Sequence, residues 1–135
     1  MRIVIDTNVL WVSIPRSSPS NWIVRDLLKN KFSLCVTTDI LKEYEEIINR
    51  FLGAETTNNF MEFLETLPNV EYITNHIRWK LITHDPKDDK FADCYLWGNA
   101  EYLVTNDHHF DVLKERVFPK INVINLAEFT ELLNN

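Results

Sequence analysis

Glycine is scarce: Gly53 and Gly98 are the only two in 135 residues. A phosphate-cradling P-loop or a dinucleotide fingerprint needs clustered glycines so that backbone can approach phosphate, and both are excluded. A Gly-x-Ser-x-Gly nucleophile elbow is missing too, so Ser–His–Asp chemistry has no frame. Cysteine is equally sparse. Cys35 and Cys94 lie far apart, each inside an apolar pattern, which argues against a disulfide framework and predicts two reduced core thiols. No apolar run approaches the roughly 18 residues of a membrane span. The first acid comes at position 6, too early for a secretory leader, and the expected location is the cytoplasm. Positive charge is in deficit, fourteen Lys and Arg against twenty Asp and Glu, for a net charge of −6. That argues against coating nucleic acid through bulk charge, and leaves open an enzyme that gathers acids in one pocket and neutralises them with metal.

What is present is an alternation of strand-like and helix-like segments. Residues 2–6 are too continuously apolar for a one-sided sheet and predict a buried strand. Ser20 is the expected N-cap of a helix carrying Trp22, Ile23, Val24, Leu27 and Leu28. A second strand is expected over 32–36. Thr37 or Thr38 then caps a helix whose Ile40, Leu41, Tyr44, Ile47, Ile48 and Phe51 form one stripe, ended by Gly53. Further helices are expected over 55–67, 74–83, from the Asp85-Pro86 turn to about Asn99, over 109–115, and from about Ala127. Strands are expected at 70–73, 102–104 and 121–124. Strands separated by helices imply one domain, residues 1–135, an α/β sandwich with a central parallel sheet and helices on both faces.

The acids then matter by position. In open parallel sheets ligands bind beyond the carboxyl ends of the strands. Asp6 closes the first strand, and Asp107 follows the strand at 102–104. Glu43 lies at the edge of the apolar stripe of its helix, flanked by Ile40 and Ile47, while Glu45 and Glu46 face away. Asp88, Asp89 and Asp93 crowd the start of another helix, where acids often serve as caps. Each acid alone has an ordinary explanation: turn, cap or solvated face. Taken together these explanations are harder to hold, because two of the acids sit at strand ends where pockets form. Two carboxylates about 4 Å apart repel by ~4 kcal/mol at an effective dielectric of 20, so a converging group must take up protons or hold cations. An all-oxygen site suits Mg²⁺ or Mn²⁺ rather than zinc, and such ions serve phosphoryl displacement. The histidines compete poorly. His108 and His109 are adjacent and point apart, and His76 and His84 lack a partner at ligand spacing. His84 and His108 are placed near the pocket as possible substrate contacts.

Four segments resemble the PIN domain family: IVIDTNVL at 3–10, TTDILKEYEEII at 37–48, DPKDDKFADCYLWGNAEYLVTND at 85–107 and INVINLAEF at 121–129. They span nearly the whole chain. The similarity is to the branch of bacterial PIN proteins labelled as toxins of toxin–antitoxin pairs, the VapC-like ribonucleases. That resemblance implies a three-layer α/β/α sandwich and Mg²⁺- or Mn²⁺-dependent endoribonuclease activity. By position it implies a site of Asp6, Glu43, Asp88, Asp93 and Asp107, with Asp6, Asp88 and Asp107 as metal ligands. The family match favours Asp88, whereas i,i+4 spacing to Asp93 would favour Asp89. Asn8 matches a residue that supports the first Asp, and Thr105 matches a small hydroxyl residue near the metal. Asn106 stands where the family carries Gly.

The expected function is therefore a metal-dependent endoribonuclease, with RNA held by local bases such as Arg16, Lys87 and Lys90. An antitoxin partner and a homodimer are what the resemblance implies, with no membrane association. The alternative is a non-catalytic PIN-like module that binds RNA or protein. A phosphatase with an Asp nucleophile is disfavoured, because its general acid two residues on would be Asn8.

Overall fold

A computed structural model describes residues 1–74 and 89–134. Five strands form one sheet: β1 (Arg2–Ile5), β2 (Ser33–Val36), β3 (Val70–Tyr72), β4 (Tyr102–Val104) and β5 (Val123–Ile124). Every pairing is parallel, in the order β3-β2-β1-β4-β5. The chain runs outward from β1 to β2 and β3, then crosses back to lay β4 against the other side of β1. That reversal makes the β1–β4 boundary the topological switch point, where the loops leaving two neighbouring strands part and open a crevice.

The helices are α1 (Thr7–Ser13), α2 (Trp22–Leu28), α3 (Thr38–Leu52), α4 (Ala54–Thr66), α5 (Asp89–Trp97) and α6 (Leu126–Asn134), with a 3₁₀ segment at His108–Glu115. The result is the three-layer α/β/α sandwich. Ile3, Val4 and Ile5 are fully buried, which accounts for the unbroken apolar run of a strand covered on both faces. Helix α5 packs against β1, β2 and β4 and buries Phe91, Ala92, Asp93, Cys94 and Tyr95. On α6, the buried Phe129 meets the rings of Trp22 and Phe32, tying this helix to α2 and to the residue that leads into β2. Cys35 and Cys94 are buried thiols that form no disulfide.

Thr37 is the N-cap of α3, its hydroxyl accepting from the Ile40 N–H at 3.2 Å. Gly53, at φ 87°, turns the chain from α3 into α4 in a conformation that side-chain-bearing residues rarely adopt. At Gly98 a Cβ would stand 2.8 Å from the Cys94 carbonyl, and only glycine lets the end of α5 close there.

Several expectations need correction. Residues 7–13 form a helix that the sequence did not signal, because Val9, Leu10 and Val12 suit a strand as well. Asn21, not Ser20, is the N-cap of α2, and its amide is spent on the Ser13 and Ile14 carbonyls at 2.9 and 3.2 Å. The segment expected as an ordinary helix over 109–115 is 3₁₀, and the last strand is confined to Val123–Ile124. The helix expected over 74–83 lies largely outside the described residues, as do Asp88, Lys87, His76 and His84. No helix among the described residues is long and apolar enough to cross a membrane.

Candidate functional site at the switch point

Asp6 continues the β1 ladder by one bond, its N–H donating to the Val104 carbonyl at 2.9 Å. Its own carbonyl accepts from Val9 and Leu10, both at 3.1 Å, so the strand turns into α1 at this residue. The side chain has nowhere to go but into the crevice beside β4, and only 5% of the residue is exposed. There the Thr105 hydroxyl donates to Oδ2 at 2.8 Å, and the Thr7 N–H donates to the same carboxylate. Burial raises its pKa from 3.8 to about 6, and the charges of Glu43 and Asp107 push the same way against those two hydrogen bonds. A carboxylate in this condition favours a proton or a cation.

Two threonines organise its surroundings. Thr7, directly after Asp6, donates its hydroxyl to Glu43 Oε2. Thr105, at the end of β4, donates to Asp6 and accepts the Asp107 N–H at 3.0 Å. Helix α3 is held against the end of β1 at the next residue as well. The fully buried Tyr44 hydroxyl donates to the Ile5 carbonyl at 2.5 Å. Its burial pushes the phenol's pKa well up, so it stays a neutral donor. Glu43 receives a second partner, the Lys90 ammonium of α5, at 2.8 Å on Oε1.

Asp107 is more open. Its carboxylate accepts from the His109 N–H at 2.9 Å and lies 3.5 Å from His109 Nδ1. It therefore serves as the N-cap of the 3₁₀ segment, which is the ordinary role that its position allows, while its charge still acts on Asp6. The neighbouring His108 turns to Asp111 instead, with Nδ1 and Oδ2 3.2 Å apart, so the adjacent histidines do point apart. Asn106 sends its side-chain oxygen to the Leu126 N–H at 3.0 Å and thereby helps start α6. That contact gives the Asn standing in place of Gly a structural task.

The structure thus brings Asp6, Glu43 and Asp107 into one electrostatic neighbourhood, joined through Thr7 and Thr105. Asp93 is buried on α5, not on a solvated face. Asp89 opens α5, and Asp88 lies outside the described residues. Asn8 is exposed, and its side-chain oxygen accepts from Trp11 Nε1 at 3.3 Å, so the described support of Asp6 comes from Thr7 and Thr105. Sequence reasoning placed Thr7 in the pocket beside Asp6 but passed over its bond to Glu43, the role of Tyr44 and the tie from Lys90 to Glu43. A tyrosine in a buried stripe needs a partner for its hydroxyl, which was the one available signal. Lys90 offered none, since its partner is 47 residues away.

Beside the acids a cleft of ≈ 980 Å³ runs between the 18–22 segment, the loop after β4 and the start of α6. Ser20, Trp22, Asp107, His108, Lys114 and Asn125 are among its walls. As donors, the acids at the switch point are all oxygen, which fits Mg²⁺ or Mn²⁺ in kind. Among the described residues no three His, Cys, Asp or Glu side chains are grouped to hold an ion by themselves.

An open parallel α/β domain with a buried carboxylate at its switch point defines the class of protein. The PIN domain family profile matches residues 2–109, and the chain belongs to that family. No curated protein matches it by sequence. Among solved structures it is similar to VapBC2 from Rickettsia felis bound to a promoter DNA fragment, at a TM-score of 0.63 and 18% identity. That match covers 93% of this chain and 98% of the other. DNA-bound VapBC from Salmonella typhimurium follows at 0.60, with the same identity and the same coverage of both chains. FitAcB from Neisseria gonorrhoeae matches at 0.56 and 18% identity, over 91% of this chain and 96% of that one. At such identity the likeness carries the fold.

Proposed function

We propose that the chain, acting as one PIN domain over residues 1–135, is a Mg²⁺- or Mn²⁺-dependent endoribonuclease and the toxin of a toxin–antitoxin pair. The observation that carries this reading is Asp6: a carboxylate buried at the switch point, with its pKa raised to about 6 and the charges of Glu43 and Asp107 acting on it. Folding alone gives no reason to gather acids there, and an ion relieves the strain. Membership in the PIN family and the likeness to VapBC complexes support the toxin assignment and an antitoxin partner. A homodimer and a cytoplasmic location belong to the same proposal.

Asp6, Asp88 and Asp107 would hold the ion, with Glu43 and Asp93 completing the site directly or through water. When bound, the ion supplies Lewis acidity toward a backbone phosphate and acidifies water. The chain's own residues then set the geometry. Thr105 fixes the rotamer of Asp6 and anchors the Asp107 loop through one hydroxyl. Tyr44 and Thr7 hold α3, and with it Glu43, against the end of β1. Asp6 is kept from water by β1, β4 and α1, so its charge is screened little and attracts a cation strongly. The adjoining cleft would receive the RNA strand, with Lys114 at its wall and Arg16 exposed nearby in sequence. Lys90 is engaged with Glu43, which withdraws it from the bases expected to grip RNA.

The test is Mn²⁺-dependent cleavage of RNA by Asp6→Asn, with circular dichroism to verify the fold. Loss of cleavage by at least about 100-fold is expected, as for removal of a central charged group from a metal site. Unchanged cleavage would sink the mechanism. Mn²⁺ binding by the wild type without turnover on varied RNAs would instead identify a non-catalytic binding module.

A further inference from the structure

We infer that Lys90 is a positioning residue that occupies the cation place at Glu43, and so restricts the acidic site to a single divalent ion. The inference rests on the metal-dependent reading given above. Both oxygens of Glu43 are taken: Oε1 by the Lys90 ammonium at 2.8 Å, Oε2 by the Thr7 hydroxyl. An ion approaching either oxygen would compete with a partner already in place. The pair is also sheltered, with each side chain only 21% exposed, so the ammonium acts on the acids with less screening than a surface lysine would. Its position is fixed from α5, the helix that also carries Asp93 and packs directly on β1 and β4. Among the described residues Asp6 has no such cation. It receives a hydroxyl and an N–H, both neutral donors.

The acids therefore fall into two sets. Glu43 has a lysine ammonium built in, whereas among the described residues Asp6 meets no lysine or arginine and Asp107 lies against His109 alone. A divalent ion bound at Asp6 then meets a neighbour already neutralised, and a second ion at Glu43 would have to displace Lys90. One-ion chemistry follows from this arrangement. Lysine serves here because its compact ammonium acts as a point charge at the end of a flexible stem.

The experiment is calorimetric titration of Mn²⁺ into the metal-free wild type and into Lys90→Met and Lys90→Arg, with thermal unfolding of each. Methionine keeps the buried stem and removes the charge. One Mn²⁺ per chain is expected for the wild type. For Lys90→Met we expect a second equivalent, or first-site binding tighter on the order of tenfold, since a repelling charge has gone. Lys90→Arg should restore wild-type stoichiometry. A merely structural lysine would give the opposite sign, weaker Mn²⁺ binding in Lys90→Met together with a lowered unfolding temperature, and would overturn the inference. Unchanged Mn²⁺ binding with weakened RNA binding would overturn it as well, making Lys90 an RNA contact. Failure of the wild type to bind Mn²⁺ would overturn the underlying metal-dependent reading itself, which sets the two failures apart.

Discussion

At the end of β1 the acid comes at once, Asp6 directly after Ile5. At the end of β4 it comes late, after Thr105 and Asn106. The strands are neighbours, yet that difference of two residues separates a buried carboxylate from one whose side chain is 34% exposed. Asp6 still belongs to the ladder, so its side chain is confined between elements. Asp107 has left the sheet and folds back to cap the 3₁₀ segment. Thr105 occupies at β4 the place of Asp6 at β1, and its hydroxyl joins the two acids. One acid is held rigidly and short of solvation, and the other stands half-open at the wall of the cleft.

The contrast breaks most sharply at Asp6. With its folded pKa at about 6 against 3.8 in the unfolded chain, the native state binds this proton more tightly than the unfolded state does. Its contribution to stability is full below the unfolded value, falls as pH rises through about 6, and stays low at neutral pH. The loss is on the order of 3 kcal/mol. Metal-free protein should thus lose unfolding free energy between pH 4 and about pH 7, and Asp6→Asn should flatten that slope. An unaltered slope in the variant would remove Asp6 as its source.

Next in size is the bridge. Thr105→Val removes a buried hydroxyl that serves both acids, at a cost of about 1–3 kcal/mol. It should also raise the midpoint of the Asp6 titration, because the bond lost is one that favours the charged form. Thr7→Val, which unties Glu43 and leaves Thr105 in place, should leave the Asp107 loop undisturbed. Proton–deuterium exchange of the Asp107 amide separates the two: faster in Thr105→Val, unchanged in Thr7→Val. Equal effects would show that the two threonines do not divide the work.

The smallest effect is expected at the open end. Asp107→Ala removes a cap from a short 3₁₀ segment, about 0.5–2 kcal/mol by the usual value of such caps, and should lower the Asp6 midpoint by removing a like charge. Denaturant unfolding measures the first and NMR titration the second. A midpoint that rises would contradict the neighbourhood of the two acids.

Much of this was legible in the sequence. The parallel sheet could be read from its buried apolar runs, and α3 from its stripe, its Thr37 cap and its Gly53 stop. Glu43's place facing the core boundary could be read from periodicity, since the edge of an apolar stripe is a place rather than a composition. What escaped notice depended on tertiary partners. Thr7–Ser13 reads locally as more strand, and only the turn at Asp6 makes it a helix. Asn21 takes the N-cap place of α2 without a side-chain cap bond, its amide held instead by two carbonyls from α1 and its C-cap. Lys90 read as a surface base until α5 was laid beside α3. Asp107 kept both of its readings, cap and site acid, because the geometry permits both.

Cation binding at this strand end depends on the state of one carboxyl group, and ¹³C NMR can follow the Asp6 side chain directly. In metal-free protein its midpoint should lie at about 6, and saturating Mg²⁺ should bring it down toward or past the ordinary aspartate value. An ordinary midpoint in the metal-free protein, unmoved by Mg²⁺, would contradict the claim that this strand end is built to hold a cation.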